Sequence, residues 1–427
     1  MNKSCFLASV CALSLLAAGC TSAQANVTSF APPEYLSWLE DLKKEMLSKG
    51  ISQQTIDKVY AQDYYSPSPE VVKRDRQQIE FALTSTAYLN RVVTKNRVEK
   101  GRAYYQTLRP LLGRIEDKYG VPGQYIVAFW GIETNFGSNF GGYNVIASLT
   151  NLSYDKRRPA FFRSQLYEAL KIVDTWQVDY TQMQGSWAGA MGHFQFMPST
   201  FNAYAVDFNN DGSIDIWHSF EDAAASAANY LSTIGWQRDA PWGLEVSLPW
   251  NFDFAQTGRR NVKTLKEWRR LGVRTKDNRE LKLSGSLRGA VITPEGKKGR
   301  AYLVLNNFNK IMHWNRSENY ALAVGTLADY IASDKAWRPQ EEDPALRLKT
   351  DDILRIQSFI NKVFGGSLDE DGQLGSGTRE AVKRVQKKAN LPQDGYPDYR
   401  LLQKIKNYNP QLGFSVPVPQ RKLHKPD

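Results

Sequence analysis

The chain has 427 residues, 42% of them hydrophobic and 23% charged. That balance excludes a wholly disordered or collagen-like polymer, and the length suits two or three domains with real cores. The 55 basic and 44 acidic residues give a net charge of +11, which fits a nucleic acid, an anionic membrane or an anionic polymer as partner, or simply a solvated basic surface.

Residues 1–20 read as an export signal. Lys3 is followed by nearly unbroken apolar or small residues from Phe6 to Ala18, a run too short to span a bilayer as a mature helix. It ends Leu15-Leu16-Ala17-Ala18-Gly19-Cys20, with small residues directly before a cysteine. This resembles the lipobox of bacterial lipoproteins, which implies that Cys20 is lipidated and becomes the first residue. Ala17 departs from the Leu preferred there, and the alternative is an ordinary secretory signal cut near Ala23 or Ala25. All three cysteines (Cys5, Cys11 and Cys20) lie in this segment, so the rest of the chain can form neither a disulfide nor a cysteine–zinc site. No later segment is apolar enough to cross a membrane.

Residues 21–33 read as a linker. The spacing of Leu36, Leu39, Leu42, Met46 and Leu47 predicts a helix, and so does that of Ile79, Leu83, Ala87 and Leu89. The stretch 101–240 is mostly helical, broken by Gly, Pro and Asn. Gly289–Thr293 and Ala301–Leu305, on either side of Pro294-Glu295-Gly296, predict a small β-hairpin, and 319–333 returns to helix. The charged, Pro-containing run Trp337 to Asp343 marks a boundary. This gives a large domain over 34–336, a linker over 337–345, a small module over 346–407 and a loose tail over 408–427. From residue 345 onward, 15 basic residues face 9 acidic ones. There Asp371-Gly372 and Asp394-Gly395 each precede a helix, and Gln357 and Gln386 sit in related helices, a weak internal repeat.

Two runs carry chemistry. In the first, 121–137, Pro122 suits a helix start and Gly137 its end, and Ile126, Phe129, Trp130 and Glu133 share one helical face. A carboxyl group on an apolar face is partly desolvated, which raises its pKa and suits a general acid for a glycosidic oxygen. A half-buried structural Glu is the plainer reading of that run alone. In the second, 185–200, glycines and alanines let a bulky ligand approach the backbone, while Ser186, Gln195 and Ser199 supply hydrogen bonds. A tight helix crossing is its plainer reading.

Together the ordered motifs GIETNFG, SYDKRRPAFF, GSWAGAMGHFQFMPST, an acidic loop and HWNRSENY resemble the lytic murein transglycosylases of the membrane-bound B family, over roughly residues 30–335. The resemblance implies a mainly α, lysozyme-like (goose-type) catalytic domain. It maps the sole catalytic acid/base onto Glu133 and puts Ser186 close to that acid. It implies substrate contacts at Gln195, Arg157, Arg158, Tyr230, Trp314, Asn315 and Tyr320. Trp314 stands where the family has Tyr, and so does His193. The implied reaction cleaves the MurNAc–GlcNAc bond of peptidoglycan without water, leaving a 1,6-anhydro product.

The loop Asp207-Phe-Asn-Asn-Asp-Gly-Ser-Ile-Asp215 matches the first part of an EF-hand calcium loop, with oxygen donors at Asp207, Asn209, Asp211, Ser213 and Asp215. Position twelve is His218 rather than Glu. Glu221 is the expected closing ligand, at the position the family uses. The expected ion is a structural Ca2+; an Asx-rich surface turn is the plainer reading. The pattern over roughly 346–406 resembles the small three-helix peptidoglycan-binding domain.

The expected partners are therefore peptidoglycan glycan strands and a membrane reached through the lipid anchor, with no organic cofactor. Thr21 is not the Asp that commonly retains lipoproteins in the inner membrane. This points to an outer-membrane lipoprotein facing the periplasm, the alternative being a soluble periplasmic protein. A lysozyme-like hydrolase and a non-catalytic wall anchor are the rival functions. A nucleic-acid partner is unsupported, since there is no zinc, RNA-binding or helix-turn-helix signature and no phosphate loop. The four His show no metal-ligand spacing.

Overall fold

The computed structural model describes residues 31–61, 68–76, 83–411, 413 and 414. The export signal, Cys20, Ile79 and most of the 408–427 tail lie outside them. The protein is mainly helical.

Helix α1 (Pro33–Ser48) buries Tyr35, Leu39, Leu42 and Met46, while Leu36 and Leu47 are exposed. The apolar spacing was right, but the stripe that packs is centred one residue away from those two. α2 (Gln53–Val59), α3 (Pro69–Arg76), α4 (Ser85–Val92) and α5 (Lys95–Thr107) follow. The hydroxyls of Ser52, Thr84 and Thr94 cap α2, α4 and α5 by accepting from the N–H three residues on. Leu83 therefore falls before α4 rather than within it. α6 (Arg109–Tyr119) stops at Gly120, whose φ of 72° is the left-handed stop a side chain resists.

α7 (Gly123–Thr134) is the central helix. All its residues are buried except Gln124 and Glu133. It is thus apolar nearly all round, as an enclosed helix must be, and not the one-faced helix that the spacing predicted. Pro122 caps it from outside, and Asn135 at φ 49° ends it two residues before Gly137.

β1 (Tyr143–Asn144) pairs antiparallel with β2 (Gln184–Gly185), enclosing α8 (Val145–Tyr154) and α9 (Pro159–Trp176). α10 (Pro198–Tyr204) and α11 (Phe220–Thr233) complete the helical wall.

The chain then builds an antiparallel sheet from β3 (Gly243–Ser247), β4 (Lys263–Thr264), β5 (Arg274–Thr275), β6 (Arg288–Ile292) and β7 (Ala301–Val304), in the order β4-β6-β7-β3-β5. The expected hairpin is β6–β7, with Ala290 opposite Val304. The other three strands were missed because two span only two residues each. Helix α12 (Leu265–Arg270) covers the sheet over its own core of Phe252, Phe254, Leu265, Trp268, Val291 and Leu303.

α13 (Asn306–Trp314) and α14 (Glu318–Ile331) return to the main core and lay α14 against α7. Gly325 permits this packing beside the indole of Trp242, where a Cβ would come within 2.3 Å of the ring. The run after α14 is tied down. Trp337 donates to the Val93 carbonyl at 2.7 Å, and Asn90 exchanges hydrogen bonds with the Gln340 backbone at 2.7 and 2.8 Å.

α15 (Thr350–Phe364), α16 (Ser376–Lys388) and α17 (Tyr399–Lys406) form a three-helix unit around Ile356, Ile360, Val382, Val385 and Leu401. The internal repeat has a physical basis. The Gln357 amide donates to Asp371 at 2.8 Å and accepts from the Gly372 N–H at 2.9 Å. Gln386 does the same with Asp394 at 2.7 Å and Gly395 at 2.9 Å. Both glutamines are buried, so each Asp-Gly turn is clamped to the helix that precedes it. Among the described residues no helix is long and apolar enough to cross a membrane.

Candidate active site

Glu133 sits in the last turn of α7, half-buried in an otherwise enclosed helix. The hydroxyl of Tyr320, in the first turn of α14, donates a hydrogen bond to its Oε1. Tyr320 is itself 1% exposed, so the bond is made where water competes little. α14 starts where it does because the Ser317 hydroxyl caps it, accepting from the Tyr320 N–H.

The 185–200 run is a folded loop, not a helix crossing. Ser186 accepts from the N–H groups of Ala188 and Ala190 at 3.3 and 3.0 Å, which winds the chain tightly around its Oγ. Gly185 and Gly189 have no room for a side chain: a Cβ would come within 2.1 Å of the Ala190 carbonyl oxygen and 2.6 Å of Leu149. Gln195 takes a left-handed φ of 49° and donates to the carbonyls of Phe140 and Gly192, each at 3.1 Å. It therefore bridges this loop to the one leaving α7.

His193 joins the same two segments. Its Nδ1 accepts from the Trp130 indole at 2.9 Å, and its carbonyl accepts from the Thr134 hydroxyl at 2.9 Å. Trp130 and Thr134 flank Glu133 on α7, so His193 braces the turn that carries the acid. Burial lowers its pKa to about 4, with Asp215 opposing the shift and His218 adding to it. The imidazole is neutral near pH 7, with Nδ1 as acceptor. In the sequence His193 stands out only as a departure from Tyr; its bond to the Trp130 indole spans 63 residues, and no local pattern signals it.

The remaining expected contacts divide. Tyr230 is half-buried and donates to the His313 carbonyl at 3.3 Å, and burial pushes its pKa up to about 12. It packs on Trp314 at 5.2 Å between ring centroids. Trp314 is 7% exposed and lies among Phe129, Phe196 and Tyr230, so it forms the wall itself and offers little open face for stacking. Asn315 ends α13, and its side chain is turned to the Ser317 N–H at 3.2 Å. Arg157 is exposed in the turn between α8 and α9, and Arg158, half-buried, has its guanidinium 5.0 Å from the centre of the Phe162 ring.

The acidic loop folds partly as its spacing predicts. Asp207 accepts from the N–H groups of Asp211 at 3.2 Å and Gly212 at 2.9 Å. Asn209 reaches Asp211 at 2.8 Å, and Asp211 accepts from the Ser213 N–H and hydroxyl at 2.9 and 2.8 Å. Asp207, Asn209, Asp211 and Ser213 are hard oxygen donors, the type calcium takes, and here they are engaged in hydrogen bonds within the loop. Asp215 instead faces the N–H groups of Trp217 and His218 and the His218 ring. Glu221, the expected closing ligand, is paired with Arg114 of α6 at 3.2 Å. Asp222, missed in the sequence, is fully buried and clamps the loop by accepting from Phe208, Asn209 and Asp215. Among the described residues no three His, Cys, Asp or Glu side chains converge as a metal cluster.

An acid on an enclosed helix, held by a buried tyrosine and carried on a turn that a glycine-rich loop braces through His193, defines a site of the lysozyme-like class. The chain belongs to the transglycosylase SLT domain family, whose pattern matches residues 34–329. A second match, to the peptidoglycan binding domain family, covers residues 349–405. It is 30% identical over 249 residues to membrane-bound lytic murein transglycosylase B of Escherichia coli K12, covering 57% of this chain and 66% of that one, just under two thirds. Its fold is similar to that of SltB3 from Pseudomonas aeruginosa, solved with NAG-anhNAM-pentapeptide: 38% identity, TM-score 0.80, covering 87% of this chain and 99% of that one. It is also similar to the Escherichia coli lytic transglycosylase SLT35, solved with calcium, at 26% identity and a TM-score of 0.58, covering 73% of this chain and 98% of that one.

Proposed function

We propose that the protein is a peptidoglycan lytic transglycosylase with Glu133 as its single acid/base. The observation that carries this reading is the buried Tyr320 hydroxyl on Oε1 of Glu133. A donor on Oε1 favours the tautomer with the acid proton on Oε2, where it serves the bridging glycosidic oxygen. After bond cleavage the carboxylate takes the proton of the muramic acid 6-hydroxyl. That oxygen attacks the anomeric carbon and closes the 1,6-anhydro ring, so no water is consumed. The substrate's acetamido group stabilises the cation-like centre, which removes the need for the second carboxylate of ordinary glycosidases.

Ser186, Gln195, Arg157, Arg158 and Tyr230 would orient the sugars, with Asn315 and Trp314 shaping the wall behind them. Calcium would be held by Asp207, Asn209 and Asp211, with Ser213 and Asp215 completing the set, and Glu221 would close it on leaving Arg114. When bound, the ion supplies structural cross-linking of this loop. Residues 346–407 would hold the same polymer. Cys20 would carry a lipid anchor that faces the protein from the outer membrane into the periplasm; a Cys20→Ala protein recovered in the soluble fraction would support that placement.

The direct test is Glu133→Gln, which keeps the shape and removes the transferable proton. Release of soluble fragments from peptidoglycan should fall by about a hundredfold to ten-thousandfold, with the melting temperature unchanged or raised. Wild-type turnover by this variant overturns the mechanism.

A further inference from the structure

Tyr320 is the third residue of α14. The first turn of a helix is its loosest part, because its N–H groups have no acceptor within the helix. The Ser317 cap accepts from the Tyr320 N–H at 3.3 Å, a long bond for an amide. Held by that cap alone, the turn that carries the tyrosine would open readily. Its hydroxyl must nevertheless stay on Oε1 of Glu133.

The two residues before Tyr320 are gripped from outside the helix. Glu318, the first residue of α14, pairs with the Arg259 guanidinium at 2.8 Å, and the two side chains are only 20% and 28% exposed. Asn319, the second, accepts from the hydroxyl of Ser85 at 2.5 Å. Ser85 is buried and is the first residue of α4. These contacts span 59 and 234 residues of sequence, so neither belongs to the local chemistry of a helix start.

The holders are themselves fixed. Arg259 follows Thr257 and Gly258. The Gly258 N–H donates to the Val291 carbonyl of β6 at 2.7 Å, and the Asn261 amide donates to the Thr257 carbonyl at 2.8 Å. Ser85 stands between Thr84, whose hydroxyl caps α4, and Thr86. Thr86 gives its N–H and its hydroxyl to the buried carboxylate of Glu295, at 2.7 and 2.8 Å. Glu295 lies in the turn between β6 and β7. Both grips therefore lead back to the small sheet, which carries none of the side chains described around the acid.

We propose that Glu318 and Asn319 are positioning residues, through which the small sheet holds the first turn of α14 so that Tyr320 stays on Glu133. The proposal rests on the reading of Glu133 as the acid/base. It gives the sheet, a unit with its own core, a part in catalysis exerted through one charge pair and one hydroxyl.

The test is steady-state kinetics of the full chain on a short soluble peptidoglycan glycan. Arg259→Met keeps the aliphatic stem and removes the charge, and Ser85→Ala removes only the hydroxyl. Each should lower kcat about threefold, and the two together about tenfold, with KM unchanged. Glu318→Met breaks the same pair from the other end and should match Arg259→Met, with no further loss when those two are combined. In a Tyr320→Phe background all these losses should vanish, since no hydroxyl is left to place. A merely structural role would lower kcat equally in both backgrounds. Three outcomes overturn the proposal: wild-type kcat when Arg259→Met and Ser85→Ala are combined, losses of the same size in the Tyr320→Phe background, or a rise in KM with kcat unchanged. Melting temperatures identify any variant that does not fold, and Arg259→Met and Glu318→Met test one grip independently of Ser85→Ala. Wild-type protein that releases no fragments removes the reading of Glu133 instead.

Discussion

The Tyr320 hydroxyl and the Glu133 carboxyl are 187 residues apart in sequence and share a hydrogen bond at the contact of α14 with α7. The acid is therefore oriented by a different helix from the one that carries it. Replacing Tyr320 with Phe removes only the hydroxyl. A hydrogen bond to an ionisable group contributes about 1.5–3 kcal/mol, so kcat should fall about 10–100-fold. KM should change little, because Tyr320 is too buried to bear much of the sugar's binding. Steady-state kinetics on soluble glycan separate the two.

Gly325 lies in the helix that positions Tyr320. Gly325→Ala forces a methyl group into the Trp242 indole, where the nearest ring atom is 2.3 Å away. Overpacking of this kind costs about 1–3 kcal/mol. Denaturant unfolding should show that loss, and activity should drop with it, since displacing α14 displaces the tyrosine.

His193 makes stability depend on pH. Burial holds its folded pKa at about 4, below the unfolded value of about 6.5. Between those values the unfolded chain binds more protons, so stability is complete above about pH 6.5 and is lost as pH falls towards 4, by roughly 3 kcal/mol at most. Thermal unfolding between pH 7 and 4 should show this decline, and His193→Gln should flatten it. An equal slope in both proteins would assign the effect to other groups.

Much of this site was legible in the sequence. Glu133, Ser186 and Gln195 stand in dense local motifs, and local motifs survive being read one segment at a time. The Asp-Gly turns also announced their helices, although the clamp by Gln357 and Gln386 is visible only in the fold. What escaped was long-range. Trp130 against His193, Arg114 against Glu221, and Asp222 under the acidic loop each join segments that no periodicity relates. The two-residue strands β4 and β5 escaped for a different reason: they are too short to show alternation.

The acidic loop gives a further expectation. An ion that binds only the folded state stabilises it by mass action, about 2.7 kcal/mol at a hundred times its Kd. Calcium should raise the melting temperature of metal-free protein, and a chelator should reverse the rise. Asp207→Ala should abolish the response, because Asp207 anchors both Asp211 and Gly212. Glu221→Gln should weaken it only if the carboxylate leaves Arg114 for the ion.

The central claim is that Glu133 acts twice and water not at all. Mass spectrometry of fragments released from peptidoglycan by the wild-type chain tests it most directly. The account predicts muropeptides ending in 1,6-anhydromuramic acid, each lighter by one water than its hydrolytic counterpart. Fragments that carry a reducing end, with the anhydro form absent, would contradict it and make the protein a lysozyme-like hydrolase.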